Sequence, residues 1–216
     1  MRRVVPAVVA LLATGLLAPA GAETEQTAFA PADLLAWERQ VFVGTTAYAL
    51  DHVAGRPALR ATCRDSASGL VRRQTVDLTK TPILEWSWRV EAVPAAGPSE
   101  RTKAGDDYVA RLYVIRDGGL LPWRTRAVNY VWAAGEPAGA DWPNAYADQA
   151  HMVAVASGPP AAPGAWVTAR RDVRADFRRF HDLAVDAIDA VALMTDCDDR
   201  GGTWRAWYGP VRFVPR

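Results

Sequence analysis

Tryptophan recurs in this chain within short stretches that alternate apolar and polar residues. There are nine tryptophans among the 216 residues. In the clearest stretch, residues 84–90 (LEWSWRV), an apolar side chain occupies every second position and a polar one the positions between. Successive side chains of a β-strand point to opposite faces, so this stretch predicts a strand with one buried face.

The same alternation returns along the rest of the chain, interrupted by glycine- and proline-rich turns. The predicted strands are 41–44, 58–63, 70–78, 83–91, 108–116, 128–133, 151–157, 166–172, 188–195, 204–208 and 211–214. Many short strands at this spacing predict an all-β fold, a two-sheet antiparallel β-sandwich of jelly-roll type.

Two short helical turns interrupt this pattern. One is predicted to start at Pro31, and the other to follow Asp172, a capping residue, with apolar side chains at Val173, Phe177 and Phe180. We find no internal repeat or domain boundary, so residues 37–216 are predicted to form one domain. Residues 23–36 are predicted to be a loose N-terminal segment.

The first 22 residues have the layout of a secretory signal peptide. Arg2 and Arg3 precede an uncharged apolar run, 4–17, and small residues at 20–22 suit signal-peptidase cleavage. We therefore expect a periplasmic or secreted protein; an uncleaved N-terminal anchor is the alternative. No later stretch is apolar enough to cross a bilayer, so we expect no transmembrane segment after cleavage.

Charge narrows the range of partners. Cleavage after Ala22 removes two arginines and no acidic residue, which leaves 23 basic and 24 acidic residues. Nucleic acids and anionic membranes select proteins with a basic footprint. A near-neutral chain therefore argues against both partners.

The chain contains two cysteines, Cys63 and Cys197. In an exported protein such a pair permits a disulfide, and this one would close a loop worth roughly 4–5 kcal/mol in the chain-entropy model. The alternative is two separate buried thiols that pack as small apolar residues.

Several motifs together resemble a bacterial exported family known as domain of unknown function 3047. The motifs are Trp86–Val90, Lys103–Tyr108 with Arg111 and Tyr113, Asn129–Trp132, Thr195–Asp198 and Trp207–Gly209. The resemblance spans about residues 37–214 and implies the fold and the export, but it supplies no activity. The family has threonine where this chain has Cys197, which makes a disulfide less expected as a family feature. Residues 55–70 and the Trp-x-Trp strand are more loosely similar to carbohydrate-binding jelly rolls.

Clustered aspartates provide candidate metal ligands. Asp106 and Asp107 open one predicted strand, and Asp196, Asp198 and Asp199 close another, with Asp106, Asp107, Asp196 and Asp198 as the candidate ligands. Calcium prefers six to eight oxygen ligands, so it is the candidate cofactor, although the EF-hand pattern is absent. Alternatively, these aspartates shape turns and pair with Arg89 or Arg111.

Arg111 has two interpretations. A bidentate arginine is a natural partner for a ligand carboxylate, and equally for an internal aspartate. Val109, Arg111 and Tyr113 share one side of the predicted strand. If that side faces the interior, Arg111 must be paired, because an unpaired buried charge is costly.

Aromatic rings with polar neighbours suit sugars, which have apolar C–H faces and hydroxyl edges. Trp123 and Trp142 lie beside prolines in predicted loops, and Trp132 and Trp207 are further candidates, with Asn144 and Tyr146 as polar neighbours. The predicted ligand-binding set is Trp123, Asn129, Tyr130, Trp132, Trp142 and Arg111. The alternative is that all nine indole rings fill or cap the core.

These features predict an exported, non-catalytic module that binds a glycan or another cell-envelope ligand. An alternative is a lyase or hydrolase acting on an acidic polysaccharide, in which Arg111 neutralises a uronate and His151 and Tyr130 move protons. A second alternative is a structural or protein-binding envelope component. The sequence contains no catalytic-triad, nucleotide-binding or zinc motif.

Overall fold

A computed structural model describes residues 27–95 and 97–216 and shows two β-sheets packed face to face. The predicted signal peptide, residues 1–22, lies outside the described residues. Within the described part of the chain, no helix has the length and apolar character needed to span a membrane.

The described residues form thirteen strands and two α-helices. The strands are β1 (Thr27–Phe29), β2 (Glu38–Val43), β3 (Ala47–Val53), β4 (Arg56–Arg64), β5 (Ala67–Asp77), β6 (Ile83–Val90), β7 (Arg111–Arg116), β8 (Arg126–Ala133), β9 (Asp141–Pro143), β10 (Ala150–Ser157), β11 (Val167–Asp172), β12 (Ala187–Asp196) and β13 (Thr203–Val214). The helices are α1 (Pro31–Leu35) and α2 (Val173–His181), and two 3₁₀ turns cover Lys103–Gly105 and Pro122–Arg124.

The strands divide into a six-stranded and a seven-stranded sheet. The six-stranded sheet has the order β11-β6-β13-β4-β3, with β1 also paired to β13. The seven-stranded sheet has the order β2-β5-β12-β7-β8-β10-β9. The predicted β-sandwich is confirmed, with one difference: β8 and β10 pair in parallel, so the larger sheet is mixed rather than wholly antiparallel.

The alternating stretch that predicted a strand is β6, and its apolar side chains all enter the core between the sheets. Trp86 and Trp88 meet edge to face, with ring centroids 5.2 Å apart. Trp86 also packs on Tyr130 of the opposite sheet at 5.2 Å. Such aromatic contacts add about 0.5–1.5 kcal/mol each to the area they bury. The tryptophan-rich alternation thus joins the two layers.

Residues 27–36 of the segment predicted to be loose form regular structure packed on the sandwich, and residues 23–26 lie outside the described residues. β1 pairs with β13, and α1 begins at the predicted Pro31. Phe29 and Leu34 are buried in the main core, and Phe29 meets the Trp37 ring edge to face at 5.1 Å. These apolar side chains provide the contacts that hold the segment on the sandwich.

Strand boundaries depart from the prediction at two places in the six-stranded sheet. The predicted strands 204–208 and 211–214 are one strand, β13, with an irregularity between Tyr208 and Val211. β3 was not predicted, because its sequence alternates weakly. A two-residue loop joins it to β4, in which Ala54 and Gly55 have φ of 52° and 74°. Hairpin loops of this length favour such positive angles.

α2 confirms the capping prediction. The Asp172 carboxylate accepts a hydrogen bond from the Ala175 N–H at 3.0 Å, which satisfies one of the free donors at the helix start. Val173 and Phe177 are buried in the main core, and Phe180 packs against it. The apolar face of α2 therefore covers the sandwich as its spacing predicted.

Cys63 and Cys197 form a disulfide in the structure, with Cα atoms 6.2 Å apart. Cys63 belongs to β4 of the six-stranded sheet, and Cys197 follows β12 of the seven-stranded sheet. The bond therefore links the two layers at one end of the sandwich.

Candidate functional site

The outer face of the seven-stranded sheet, turned away from the core, carries an open groove. On β7 the side chains of Leu112 and Val114 enter the core, so Arg111 and Tyr113 point outward. Asn129 of β8 lies directly beside Tyr113 in the sheet register and faces the same way.

One part of the groove is a cavity of about 610 Å³. Its lining is Phe42, Val43, Ala67, Asp106, Arg111, Tyr113, Asn129, Asn144, Tyr146, Ala147, Ala150, Met194, Asp196, Asp198 and Asp199. A second hollow of about 430 Å³ shares Phe42, Tyr113 and Met194 with the cavity. The two hollows therefore form one groove across the sheet.

Arg111 forms part of the cavity floor although its residue is only 5 % exposed. Its Nη2 donates to the Asp196 carboxylate at 2.7 Å and to the Asp106 backbone carbonyl at 2.7 Å. The Asp106 carboxylate is 3.6 Å from Nη1, and the Tyr108 ring centroid is 4.4 Å from the guanidinium carbon. Of the two roles considered for Arg111, pairing with internal aspartates is the one the structure shows.

The two aspartates beside Arg111 are held in a poorly hydrated place. Burial raises the pKa of Asp196 well above its ordinary value, and the Arg111 charge opposes the rise. Burial also raises the pKa of Asp106, against the lowering effects of Arg111 and of the hydrogen bond from Asn144. The cavity floor is thus a cluster of charged and polar side chains that hold one another in place by ion pairs and hydrogen bonds.

Asn144 and Tyr146 form one rim of the cavity. Asn144 Nδ2 donates to both Asp106 carboxylate oxygens, at 3.0 and 3.1 Å, while its Oδ1 accepts the N–H of Tyr146 and of Ala147. The Tyr146 hydroxyl donates to Asp199 at 2.8 Å, and this bond raises the pKa of Tyr146 to about 12. The phenol therefore stays protonated at neutral pH. The hydrogen bond to Asp199 also fixes the Tyr146 ring at the mouth of the cavity.

Two polar atoms on the floor have no hydrogen-bond partner among the described residues. They are Nε of Arg111, a donor, and Oδ1 of Asn129, an acceptor. Asn129 is only 2 % exposed, and its Nδ2 faces the Met152 sulfur at 3.2 Å, so the carbonyl oxygen is the atom left over. A buried polar group without a partner costs about 1–3 kcal/mol. Five other buried side-chain atoms in the described residues also lack a partner, but of these seven residues Arg111 and Asn129 are the two that line the cavity.

The predicted metal ligands divide into two groups. Asp106 and Asp196 lie beside Arg111, whereas Asp107 and Asp198 join Asp199 in a cluster whose carboxylate oxygens lie within 4.8 Å of one another. Asp107 accepts the backbone N–H of Asp199 at 3.3 Å and of Arg200 at 2.6 Å, so it also fixes the loop. Three carboxylates provide only part of the oxygen set that calcium requires.

Most of the predicted aromatic ligands do not reach the groove. Because Asn129 points outward, Tyr130 and Trp132 point inward and lie in the main core. Trp142 faces outward but is buried in a smaller cluster with Tyr108. Trp123 is 63 % exposed on a 3₁₀ turn, outside the cavity lining.

Trp207, the remaining aromatic candidate, lies on the six-stranded sheet. Its Nε1 donates to Asp51 at 2.9 Å, and its ring carries the Arg89 guanidinium at 4.6 Å. It is therefore on the layer opposite the groove.

The groups predicted for a lyase do not converge. Arg111 faces the groove, but the Tyr130 hydroxyl donates to Asp176 at 2.8 Å inside the fold. His151 alternates with the outward-facing Met152, bonds to Asp141 at 2.8 Å and stacks on Phe180 at 4.5 Å. Tyr130 and His151 therefore lie on the other side of the sheet from Arg111.

Phe42 and Met194 line the cavity but were not predicted as site residues, whereas Asp199 was considered with the clustered aspartates although not among the candidate ligands. Met194 alternates with the predicted Asp196 on β12, so the period of the strand was an available signal. Asp199 follows Asp198 directly in the sequence. Phe42 carried no such signal, because its place depends on β2 pairing with the edge of the seven-stranded sheet.

Comparison with known proteins places the chain in a family but assigns it no activity. A family model described as protein of unknown function (DUF3047) matches residues 35–212. No curated protein matches the chain.

Solved structures show only distant likeness. The glycoside hydrolase domain of Endo-D from Streptococcus pneumoniae R6 has 10 % identity and a TM-score of 0.42; the match covers 82 % of this chain and 21 % of that chain. This chain therefore spans about a fifth of that neighbour. A low-affinity xylan-binding module, CBM86, from Roseburia intestinalis has 11 % identity and a TM-score of 0.34, covering 89 % and 96 % of the two chains. An exo-beta-agarase has 10 % identity and a TM-score of 0.35, covering 82 % and 23 %. At these scores the likenesses carry no argument about function.

Proposed function

This chain belongs to the family described as protein of unknown function DUF3047, and from that starting point we propose that it is an exported module whose groove binds a glycan without cleaving it. The observation that carries the proposal is the unpartnered pair on the cavity floor, Arg111 Nε and Asn129 Oδ1. A hydroxyl both donates and accepts, so neighbouring sugar hydroxyls would satisfy a donor and an acceptor together.

The walls of the cavity provide apolar and polar contacts for the remaining parts of a sugar ring. Phe42, Met194 and the ring of Tyr146 provide apolar surface, and Asp106 and Asn144 provide fixed polar atoms between them. Ligand sites typically combine a mainly apolar lining with a few precisely placed polar groups. The cavity volume of about 610 Å³ lies within the usual range for such sites.

Charge favours a ligand other than an acidic polysaccharide. Arg111, the arginine in the cavity lining, is already engaged by Asp196 and Asp106. Asp198 and Asp199 add further carboxylates at the mouth. A uronate would meet these negative charges at close range, which is electrostatically unfavourable.

The disulfide supports the exported location. Disulfides persist in oxidising compartments such as the periplasm and the extracellular space, and are rare in the cytosol. Fractionation of cells that express the full chain tests this part of the proposal. Recovery of the mature, oxidised protein from the cytosol would contradict it.

Calorimetric titration of the purified protein with neutral cello-, xylo- and N-acetylchito-oligosaccharides tests the binding. The protein offers a matched pair of exposed aromatic variants: Tyr146→Ala at the cavity mouth and Trp123→Ala outside it. Since both side chains are more than half exposed, neither change should unfold the sandwich. We expect Tyr146→Ala to weaken binding about tenfold, or about 1.4 kcal/mol, and Trp123→Ala to leave it unchanged.

The same titrations measure catalysis, since samples can be analysed for shortened or unsaturated products. Binding with intact oligosaccharide supports the proposal, and release of products would replace it with an enzymatic function. Failure of these neutral oligosaccharides and of free-amine glucosamine oligomers to bind, or equal affinity of both aromatic variants, would contradict it.

A further inference from the structure

The cavity mouth carries more negative charge than the protein itself neutralises. The lining contains four carboxylates, on Asp106, Asp196, Asp198 and Asp199, against the single guanidinium of Arg111. Arg111 contacts Asp106 and Asp196. Among residues 27–95 and 97–216, no lysine, arginine or histidine forms an ion pair with Asp198 or Asp199.

One lysine lies near the cavity mouth, but it forms no ion pair with the carboxylates there. The Nζ of Lys103 lies 5.1 Å from the centroid of the Tyr146 ring. The ring thus already accepts a cation on its face. The Tyr146 hydroxyl is held at Asp199, which places the aromatic face and the carboxylate next to each other.

A second observation, independent of the carboxylates, indicates a ligand with hydrogen-bond donors. Asn129 lines the same cavity, and its amide oxygen is buried and has no partner among the described residues. A carbonyl oxygen can be satisfied only by a donor. Ammonium groups carry three donors and hydroxyl groups carry one.

We infer that the groove prefers a glycan bearing free amino groups, with an ammonium seated between the carboxylates of Asp198 and Asp199 and the face of Tyr146, and with ligand donors reaching Asn129. This inference rests on the proposed function and adds the charge class of the ligand. A charge-assisted hydrogen bond is about twice as strong as a neutral one, and an aromatic face adds cation–π attraction.

A matched pair of probes separates this inference from the proposed function. Glucosamine oligomers with free amines are compared with N-acetylglucosamine oligomers of equal length, by calorimetry at low and at high sodium chloride. We expect the amine form to bind at least tenfold more tightly at low salt, and the difference to shrink at high salt because salt screens exposed charges. Equal affinity of the two oligomers would overturn the inference and leave glycan binding intact. Failure of both to bind would remove the proposed function itself.

Substitutions test whether the carboxylates of Asp198 and Asp199 cause the preference for the amine oligomer. The double variant Asp198→Asn and Asp199→Asn should bind both oligomers with nearly equal affinity, whereas Asp182→Asn, an exposed position at the end of α2, should retain the preference. Lys103→Gln should increase the affinity for the amine oligomer, because it removes a competing cation from the Tyr146 ring. An undiminished preference in the double variant would contradict the assigned place of the ammonium.

Calcium is the rival occupant of the same carboxylates. The titrations are therefore repeated with EDTA and with added calcium chloride. Amine binding that persists in EDTA supports the inference. A requirement for calcium in the binding of both oligomers would overturn it in favour of a metal-bridged sugar.

Discussion

Arg111 combines internal ion pairing with a place in the cavity lining. It is buried against two aspartates, yet one of its nitrogens remains unpartnered at the cavity floor. A buried ion pair contributes little net stability compared with apolar packing, but loss of one partner leaves an uncompensated buried charge. The ion pairs of Arg111 therefore hold together the floor of the cavity to which we propose that the ligand binds.

The first residue-scale prediction is that Arg111→Gln lowers the free energy of unfolding by about 3–5 kcal/mol, because Asp196 and Asp106 lose their counter-charge. The matched control is Arg116→Gln on the same strand, where the pair with Asp189 is partly exposed. Exposed pairs contribute about 0–1 kcal/mol, so the control should be nearly neutral. Urea denaturation measures both, and equal losses would contradict the role given to burial.

A second prediction at this scale concerns His181. Burial lowers its pKa below 6.5, against the opposing hydrogen bond to the Ala127 carbonyl. The folded state then binds fewer protons than the unfolded state between the lowered pKa and 6.5, so stability present above pH 6.5 is lost as pH falls through that window.

His181→Gln should remove this contribution, so that the free energy of unfolding falls less on acidification. Urea unfolding of wild type and variant on both sides of pH 6.5 measures the difference. His52→Gln, at an exposed position on β3, is the control. A variant that loses as much stability as the wild type on acidification would refute the assignment.

At the scale of elements, the disulfide joins the two sheets across 134 residues of sequence. In the chain-entropy model, a cross-link over so long a loop restricts the unfolded chain by about 5 kcal/mol. The double variant Cys63→Ala and Cys197→Ala should therefore have a free energy of unfolding about 3–5 kcal/mol lower than the wild type and should unfold at a lower urea concentration. Its β-sheet circular dichroism should be unchanged. Addition of a reductant should destabilise the wild type but not the variant. A variant as stable as the oxidised wild type would show that the bond does not restrain the unfolded chain.

At the scale of the whole molecule, the sequence predicted that two sheets pack together, but it did not predict which side chains of the seven-stranded sheet point outward. The strict alternation around Trp86 and Trp88 predicted a half-buried strand correctly, because period 2 is a local property. Asn129 and Tyr130 were predicted to act together, yet neighbours on a strand point to opposite sides, and only one can reach the groove. Which side faces outward depends on the packing of the sheets.

The cavity floor was predictable only in part for a related reason. Pairing of Arg111 with an internal aspartate was one expected alternative, but its partner Asp196 is 85 residues away and is brought near by pairing of β7 with β12. The register between two distant strands cannot be predicted from the sequence of either strand alone. Position beside a proline did not predict exposure reliably, since Trp123 is 63 % exposed whereas Trp142 is 1 % exposed.

The most direct test of the account is amide NMR of the full oxidised protein during titration with the tightest-binding oligosaccharide. The account predicts that shifts concentrate on the outward-facing residues Tyr113, Asn129 and Met194 and on the rim at Tyr146, with the turn around Trp123 unaffected. Shifts centred on that turn or on the six-stranded sheet would contradict it.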